Sequence, residues 1–149
     1  MARYTGAIVI GADHAGFRLK NFITAELEQL GIAVTDIGAH TLDPLDGYPH
    51  YAGLVAGAVA RGEFIRGIAI CGSGIGTSIA CNRVKGVRAA LSVTAEMARL
   101  SRLHNNANIL VLGERITPFN VASEIVKVWL ETDFEGGRHE CRVADIDAI

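Results

Sequence analysis

Apolar residues occur along this chain in two patterns, as short continuous runs and at helical spacing. The two patterns follow one another in turn and predict strands that alternate with helices. Five short apolar runs predict β-strands at residues 7–10, 33–37, 67–71, 88–92 and 109–112. Between them, apolar residues recur at helical spacing and predict helices at residues 17–30, 51–61, 77–84, 94–104 and 118–132, with a loop over 38–49. The more polar tail, residues 133–149, is expected to add one short helix.

Strands that are each followed by a helix predict an α/β fold in which a parallel sheet is covered on both faces. The sequence has no repeat, low-complexity segment or linker, so one domain over residues 1–149 is expected. Ligands of such sheets bind at the carboxyl ends of the strands, where the strand order reverses. If strands one and three are neighbours, Asp13 and His14 in one loop meet Cys71 and Ser73 in the other.

Charge and cysteine usage exclude several classes of protein. The net charge is −2 with both signs interspersed, which argues against nucleic-acid binding and against attachment to an anionic membrane. The first apolar run is too short for a signal peptide or a membrane span. Cys71, Cys81 and Cys141 form no CxxC pair, so free thiols in a reducing cytoplasm are expected, with Cys81 in the core.

The segment 71–76 combines a thiol with a glycine-rich turn. Cys71 ends the third predicted strand, glycines alternate after it, and a predicted helix follows. Backbone amides in such a turn, beside a helix N-terminus, stabilise a phosphate or an oxyanion, and the same field favours a nearby thiolate. The pattern predicts proton abstraction or nucleophilic chemistry on an anionic small molecule; the alternative is a merely buried cysteine. A cysteine phosphatase is excluded because its C-x5-R motif would need arginine at Thr77.

The segment 11–16 imitates the dinucleotide-binding fingerprint G-x-G-x-x-G, and Asp36 follows about twenty residues on. Asp13 occupies the middle glycine position, where its carboxylate would face a pyrophosphate, so binding of a nicotinamide cofactor is rejected. Asp13 can cap the following helix or belong to a site. The imidazole of His14 beside it favours the site.

Basic and polar residues in the second half are candidates for binding an anion. Arg138 and Arg142 lie four apart, so on a helix they share a face and could clamp a phosphate or form a solvated surface. Arg115, just beyond strand five, is a third candidate. His104 ends the fourth predicted helix, where a histidine can simply complement the helix dipole, but the polar run over 102–108 keeps a functional role open.

Five segments occur in the order found in the ribose-5-phosphate isomerase B family, also called the ribose/galactose isomerase family, which this chain resembles over nearly its whole length. They are Ala12-Asp13-His14-Ala15-Gly16, Tyr48-Pro49-His50-Tyr51-Ala52, Cys71-Gly72-Ser73-Gly74-Ile75-Gly76, Ser101-Arg102-Leu103-His104-Asn105 and Gly136-Gly137-Arg138-His139. The resemblance implies an aldose–ketose isomerase without metal or other cofactor that converts ribose 5-phosphate to ribulose 5-phosphate. It also implies a three-layer α/β/α sandwich with strand order 2-1-3-5-4, and a homodimer or tetramer whose sites share residues across the interface.

The resemblance assigns catalytic roles as well. Cys71 would be the base that moves a proton between C2 and C1, with Ser73 hydrogen-bonding near it. Asp13 and His104 would open the furanose ring. Backbone amides of the glycine-rich turn would stabilise the cis-enediolate; they belong to the run from Gly72 to Gly76, which includes Gly74 and Ile75.

Substrate-binding roles are implied for residues from several parts of the chain. The phosphate would be bound by His14, Arg138, Arg142 and, as a helper, Arg115. Asn105 would hold the substrate hydroxyls, and Tyr48, in the Tyr-Pro segment, would contact the sugar. His104 and Arg115 are the residues expected from a partner subunit.

Two comparisons with the family pattern bear on the chemistry and the substrate. A second branch of the family has glutamate at the position of Thr77 and lacks the cysteine, so this chain resembles the cysteine branch. Many members have an acidic residue directly before Tyr-Pro, where this chain has Gly47, with Asp46 one position earlier. Allose 6-phosphate, galactose 6-phosphate and four-carbon sugar phosphates therefore stay open as substrates.

A different class of protein carries a run similar to Cys-Gly-Ser-Gly-Ile-Gly-Thr-Ser. In sugar phosphotransferase-system IIB proteins such a loop holds a cysteine that accepts a phosphoryl group. Those proteins place the loop after their first strand, whereas here it follows the third, and Asp13 and His14 would lack a purpose. A sugar-phosphate-binding protein without catalysis is the third hypothesis, against which Cys71 and His104 argue.

Overall fold

The computed structural model describes residues 4–149, in which strands alternate with helices. The strands are β1 (Ile8–Ala12), β2 (Val34–Asp36), β3 (Arg66–Cys71), β4 (Ala89–Leu91) and β5 (Ile109–Gly113). The helices are α1 (Phe17–Gln29), α2 (Tyr48–Ala60), α3 (Ile75–Asn82), α4 (Ala95–Asn105), α5 (Phe119–Glu131) and α6 (Glu140–Asp147), with 3-10 turns at His14–Gly16 and Gly137–His139. No helix in the described range combines the length and the hydropathy that a bilayer crossing requires.

All four strand pairings are parallel, and the order across the sheet is β2-β1-β3-β5-β4. Because successive side chains of a strand point to opposite faces, Ile8 and Ile10 pack with α1, α4 and α5, while Val9 packs with α2 and α3. The predicted three-layer α/β/α sandwich and strand order 2-1-3-5-4 are confirmed. The order reverses between β1 and β3, so a crevice for a ligand lies at their carboxyl ends.

Two helices begin earlier than the sequence pattern predicts. α2 starts at Tyr48 rather than at 51, because Pro49 lies in the first helical turn, where its missing N–H costs no hydrogen bond. The irregular segment after β2 therefore ends at Gly47. α3 starts at Ile75 rather than at 77, directly after Gly74, which turns the chain out of β3. Both shifts place residues of the candidate site on helical turns.

Two buried arginines bind the end of α5, from which the polar tail continues. Arg66 donates to the carbonyl oxygens of Trp129 and Leu130, at 3.0 and 2.9 Å. Arg102 donates to the carbonyl oxygen of Thr132 at 3.2 Å. These carbonyls lie at the end of α5, where helix geometry leaves them without intrahelical partners. Burial lowers the pKa of Arg102 to about 10. The tail beyond α5 carries one short helix, α6, as predicted.

Candidate active site

A pocket of about 660 Å³ opens at the carboxyl ends of β1 and β3, beside the segment that follows β5. Its walls bring together residues from four separate parts of the sequence. They are Asp13, His14, Ala15, Tyr48, Cys71, Gly72, Ser73, Ile75, Gly76, Ile79, Arg115 and Ile116. The meeting of the first and third loops takes place as the sequence predicts, because β1 and β3 pair directly.

Cys71 is the last residue of β3, and its thiol is held against the start of α3. The residue is buried, and its Sγ accepts a hydrogen bond from the Gly74 N–H at 3.2 Å. Ser73 Oγ accepts a hydrogen bond from the Ile75 N–H, also at 3.2 Å. An N–H that donates to sulfur stabilises negative charge there. Two amides expected to face an enediolate, those of Gly74 and Ile75, are therefore bonded to side chains of the turn itself.

The turn after β3 needs glycine at two positions, for different reasons. Gly74 has a φ of 79°, in the left-handed region, and a Cβ there would lie 2.5 Å from Leu91 Cδ1. Gly76 is helical, but a Cβ on it would lie 2.4 Å from the ring of Tyr48. The missing side chain at Gly76 lets the Tyr48 ring lie against α3 and close one side of the pocket.

The segment after β5 is hydrogen-bonded to the turn after β3. The N–H of Glu114 donates to the Cys71 carbonyl, and that of Arg115 donates to the Gly72 carbonyl, both at 2.9 Å. The Arg115 guanidinium lies along Gly72, with Nη1 3.1 Å from the place of a Cβ. Arg115 therefore lines the pocket of its own chain, whereas the family resemblance implies an arginine from a partner subunit. Its position is fixed by the backbone pairing of the two loops.

Asp13 both caps a turn and faces the pocket, so the two interpretations of the sequence apply to the same residue. Its Oδ1 accepts a hydrogen bond from the Ala15 N–H at 3.0 Å, and the residue is buried. Burial raises the pKa of the Asp13 carboxyl, and the charge of neighbouring His14 opposes this shift. A carboxyl group that keeps its proton to higher pH is suited to exchange a proton with a sugar oxygen.

His14 is held by Asp46, a residue for which the sequence pattern predicts no role. The backbone N–H of His14 donates to Asp46 Oδ1 at 2.8 Å, and the ring Nδ1 lies 2.7 Å from the same oxygen. The hydrogen bond to Asp46 raises the pKa of His14, and the charge of Asp13 acts in the same direction. The sequence signal for Asp46 is its place two residues before Tyr48, near the acidic position of the family pattern.

The other predicted site residues lie at the opposite, amino edge of the sheet. α4 begins after the carboxyl end of β4 and has 11 residues. It is about 16 Å long, so His104 and Asn105 lie at its far end. Arg88, just before β4, donates to the Asn105 carbonyl at 3.1 Å, which places the end of α4 beside the amino end of β4. The His104 ring stacks on that of His139, with 4.3 Å between the centroids.

Arg138 and Arg142 extend this amino-edge group along the tail. Arg138 is exposed, with its Nε 3.4 Å from His139 Nε2, and Arg142 is exposed in the first turn of α6. Among the residues that the structure describes, the lining of the Cys71 pocket includes none of His104, Asn105, Arg138 and Arg142. One chain thus carries the predicted site in two parts.

A family model described as Ribose/Galactose Isomerase matches residues 8–146. The chain belongs to the ribose/galactose isomerase family. Ribose-5-phosphate isomerase B of Escherichia coli is 47% identical over 142 residues, which cover 95% of each chain. The solved structure of Clostridium thermocellum ribose-5-phosphate isomerase B is 48% identical, covers 95% of both chains and has a TM-score of 0.93. D-erythrulose-4-phosphate isomerase of Pectobacterium atrosepticum is 41% identical over 140 residues, with 94% of this chain and 92% of the relative covered.

Membership of the ribose/galactose isomerase family makes the protein an enzyme of the isomerase class, of the ribose-5-phosphate isomerase B type. These matches set aside the phosphotransferase carrier and the non-catalytic binder, because they extend over nearly the whole chain and over all five motif segments. The names of the two relatives from Escherichia coli and Pectobacterium atrosepticum differ in the sugar phosphate. The family therefore leaves the substrate open.

Two groups of side chains within residues 4–149 could offer three ligand atoms to a metal ion. They are Asp13, His14 and Asp46 at the pocket, and His104, Glu135 and His139 at the amino edge. In the first group, His14 Nδ1 is already engaged by Asp46. In the second, the two imidazole planes are 16° from parallel, so in-plane nitrogen lone pairs run side by side and do not converge.

Proposed function

We propose that this enzyme interconverts ribose 5-phosphate and ribulose 5-phosphate through a cis-enediolate, with Cys71 as the base. The pocket in the crevice between β1 and β3 carries this proposal, because one buried thiol lies there among an aspartate, a histidine and an arginine. These groups offer a base, a proton donor and cationic partners for a phosphate. The names of the Escherichia coli and Clostridium thermocellum relatives support ribose 5-phosphate as the substrate.

The proton transfer begins on open-chain ribose 5-phosphate. The Cys71 thiolate removes the C2 proton, the electron pair of the C2–H bond forms the C1–C2 double bond, and O1 takes the negative charge. The thiol then returns the proton to C1, while the proton of the O2 hydroxyl moves to O1 and leaves the carbonyl at C2. The Gly74 N–H on Sγ supports this role, since it stabilises the thiolate.

Charge that develops on the enediolate oxygens needs fixed donors, each worth roughly 3 to 4 kcal/mol. The amides of Gly74 and Ile75 are bonded within the turn. We therefore assign stabilisation of the enediolate to the amides of Gly72 and Gly76, because both residues line the pocket. Ser73 also lines the pocket and would hydrogen-bond beside the thiol.

Ring opening requires proton exchange at the ring oxygen and at the C1 hydroxyl. Asp13 is one of the two groups, and its raised pKa suits it to exchange a proton there. His104 is the other, but it lies at the far edge of its own chain. We therefore propose that a second copy supplies His104 to each pocket, together with the neighbouring Asn105, which would hold the substrate hydroxyls.

The rim of the pocket supports contact with a second copy. Ile75, Ile79 and Ile116 are large apolar residues that line the pocket and stay 57%, 60% and 57% exposed in the single chain. Apolar side chains clustered at an exposed rim are typical of an interaction surface. We propose a homodimer as the smallest active unit, and a tetramer built from such dimers would have the same sites.

Phosphate binding would use cations from both copies. His14 and Arg115 line the pocket of their own chain, and Arg138 and Arg142 would reach it from the partner. A phosphate that takes no part in the reaction contributes binding energy that orients the sugar. Tyr48, against Gly76, would contact the sugar. A four-carbon sugar phosphate is the second candidate substrate, because the Pectobacterium atrosepticum relative is named for one.

Proton exchange with solvent tests the reaction and the substrate together. Purified protein is incubated with ribose 5-phosphate in D₂O with EDTA and followed by NMR. We expect ribulose 5-phosphate to form, with deuterium at C1 or C2. If a tetrose or hexose phosphate is converted faster, that sugar phosphate replaces ribose 5-phosphate as the proposed substrate. No turnover of any sugar phosphate, by protein whose Cys71 thiol is intact, would reject the proposed reaction.

A further inference from the structure

The irregular segment between β2 and α2 directs one acidic side chain into the molecule. Residues 41–45 are exposed, with Leu45 at 92%, whereas the Asp46 side chain is only 10% exposed. A turn in which the Asp46 N–H donates to the Asp43 carbonyl precedes it, and extended Gly47 follows as the N-cap of α2. Asp46 is therefore held between a turn and a helix start, and its carboxylate reaches His14.

Asp46 contacts the Nδ1 edge of the His14 ring. Asp46 Oδ1 lies 2.8 Å from the backbone nitrogen of His14 and 2.7 Å from its Nδ1. Nδ1 is thereby engaged, and Nε2 is the ring nitrogen left for a ligand. A carboxylate on one imidazole nitrogen fixes the ring orientation and the proton on that nitrogen.

Charged groups from three parts of the chain lie at or beside the pocket that His14 lines. Asp13 lies on the same turn, Asp46 comes from the segment before α2, and Arg115 comes from the segment after β5. The titratable side chains of Tyr48 and Cys71 also line the pocket. The two carboxylates favour the imidazolium form and raise the pKa of His14, with the hydrogen bond to Asp46 as the largest cause.

The carboxylate itself is incompletely satisfied. Asp46 Oδ2 is buried and accepts no hydrogen bond of normal geometry from the described residues, but the carboxylate lies near the Tyr51 hydroxyl, whose pKa is raised by burial and then by the charge of Asp46. A buried carboxylate oxygen without a partner costs stability. The two contacts that Oδ1 makes with His14 offset part of that cost.

We propose that Asp46 is a positioning residue that presents His14 to the substrate phosphate as an imidazolium with Nε2–H directed into the pocket. The inference rests on the proposed function, in which His14 binds the phosphate. A cationic N–H donor forms stronger hydrogen bonds to phosphate oxygens than a neutral one. Asp46 would thus support binding of the phosphorylated substrate without touching it.

Asp46→Asn tests the inference, because asparagine has a similar shape but carries no charge. Asp43→Asn is the matched control: Asp43 lies in the same segment and is exposed, and its Oδ1 accepts a hydrogen bond from the Leu45 N–H and none from His14. NMR of ring-labelled histidine would follow the titration of His14 and its response to inorganic phosphate in the wild type and both variants. Asp46→Asn is expected to lower the pKa of His14, whereas Asp43→Asn leaves it unchanged.

Phosphate affinity gives the second readout. A lower pKa of His14 means a smaller imidazolium fraction at pH values above both pKa values, and an equal fraction at pH values well below them. Asp46→Asn should therefore weaken phosphate binding most at alkaline pH and much less at pH values where His14 is protonated in both proteins. Asp46→Glu should restore part of the affinity, since it restores the charge.

Kinetics separate positioning from a structural role. In Asp46→Asn the KM for the sugar phosphate should rise while kcat stays close to that of the wild type, because the phosphate takes no part in the chemistry. Equal His14 titration and equal phosphate affinity in Asp46→Asn and Asp43→Asn would overturn the inference, as would no response of His14 to phosphate in the wild type. A wild type that binds phosphate at His14 but isomerises no sugar phosphate would reject the proposed function and leave the role of Asp46 in place.

Discussion

The two edges of the sheet hold chemically different halves of the candidate site. At the carboxyl edge, the reactive groups are buried or hydrogen-bonded in place: Gly74 donates to Cys71, and Asp46 holds His14. At the amino edge, His104 is 37% exposed and Arg138 extends from an exposed turn. In the proposed function, one chain therefore holds its own base in place, whereas His104 and Arg138 act only when a second copy brings them to the pocket.

Replacing Cys71 should have the largest effect. Cys71→Ala removes the proposed base, and kcat should fall by about 10² to 10⁴-fold or more. Steady-state assays with ribose 5-phosphate would measure it, with circular dichroism to verify the fold. Cys81→Ala is the matched control: Cys81 is buried in the core, where burial raises the pKa of its thiol to about 12. That variant should lose stability and keep its turnover. Near-normal turnover in Cys71→Ala would contradict the assignment of the base.

In the proposed function, His104 of one copy completes the pocket of the other, and its replacement tests that role. His104→Asn removes one of the two ring-opening groups, so turnover should fall by about 10² or more. Presenting substrate already in the open-chain form should recover part of the loss, because the later proton transfer uses Cys71.

Mixing two inactive variants shows whether His104 acts in the partner's pocket. A dimer of one Cys71→Ala chain and one His104→Asn chain has one pocket with both residues intact. Random exchange of subunits should then restore roughly a quarter of wild-type activity. Mixed dimers that form but stay inactive would show that His104 acts within its own chain. That result would reject the proposal that a second copy supplies His104 to each pocket.

Arg138 should contribute binding and little else. Arg138→Ala removes a charged contact that the proposed function gives to the phosphate, which predicts a KM higher by about tenfold or more with kcat nearly unchanged. Arg99→Ala is the control, since Arg99 is an exposed arginine of α4 whose partner is Glu96 on the same helix. The KM of the Arg99→Ala variant should stay at the wild-type value. A loss in Arg138→Ala confined to kcat would assign this arginine to the chemistry.

The sequence predicts the carboxyl-edge pocket well, because its information is local. Apolar periodicity identifies the strands, and the rule that parallel sheets bind ligands at carboxyl ends places Asp13 next to Cys71 before any coordinates are known. The family resemblance supplies strand order 2-1-3-5-4, which the structure confirms. Local pattern together with the strand order therefore suffices for functional residues that directly follow a strand.

Two features of the site lie beyond that pattern. Asp46 reaches His14 across 32 positions of sequence through an irregular segment, and neither periodicity nor turn chemistry specifies such a contact. The engagement of the Gly74 and Ile75 amides by side chains of their own turn depends on the φ of Gly74 and on the rotamers of Cys71 and Ser73. Composition and spacing determine neither of these.

Cys141 should have the smallest effect, although it lies between Arg138 and Arg142. Its thiol is exposed and makes one weak contact, 3.6 Å from the Arg138 carbonyl. Cys141→Ser should leave kcat/KM within about twofold of the wild type, as expected for a surface position. Iodoacetamide applied to this variant then meets one thiol that lines the pocket, that of Cys71, since Cys81 is packed in the core and keeps its proton. Loss of activity should parallel alkylation of Cys71, and ribose 5-phosphate should slow both. Complete alkylation at Cys71 without loss of turnover would remove the thiol from the mechanism while leaving the pocket in place.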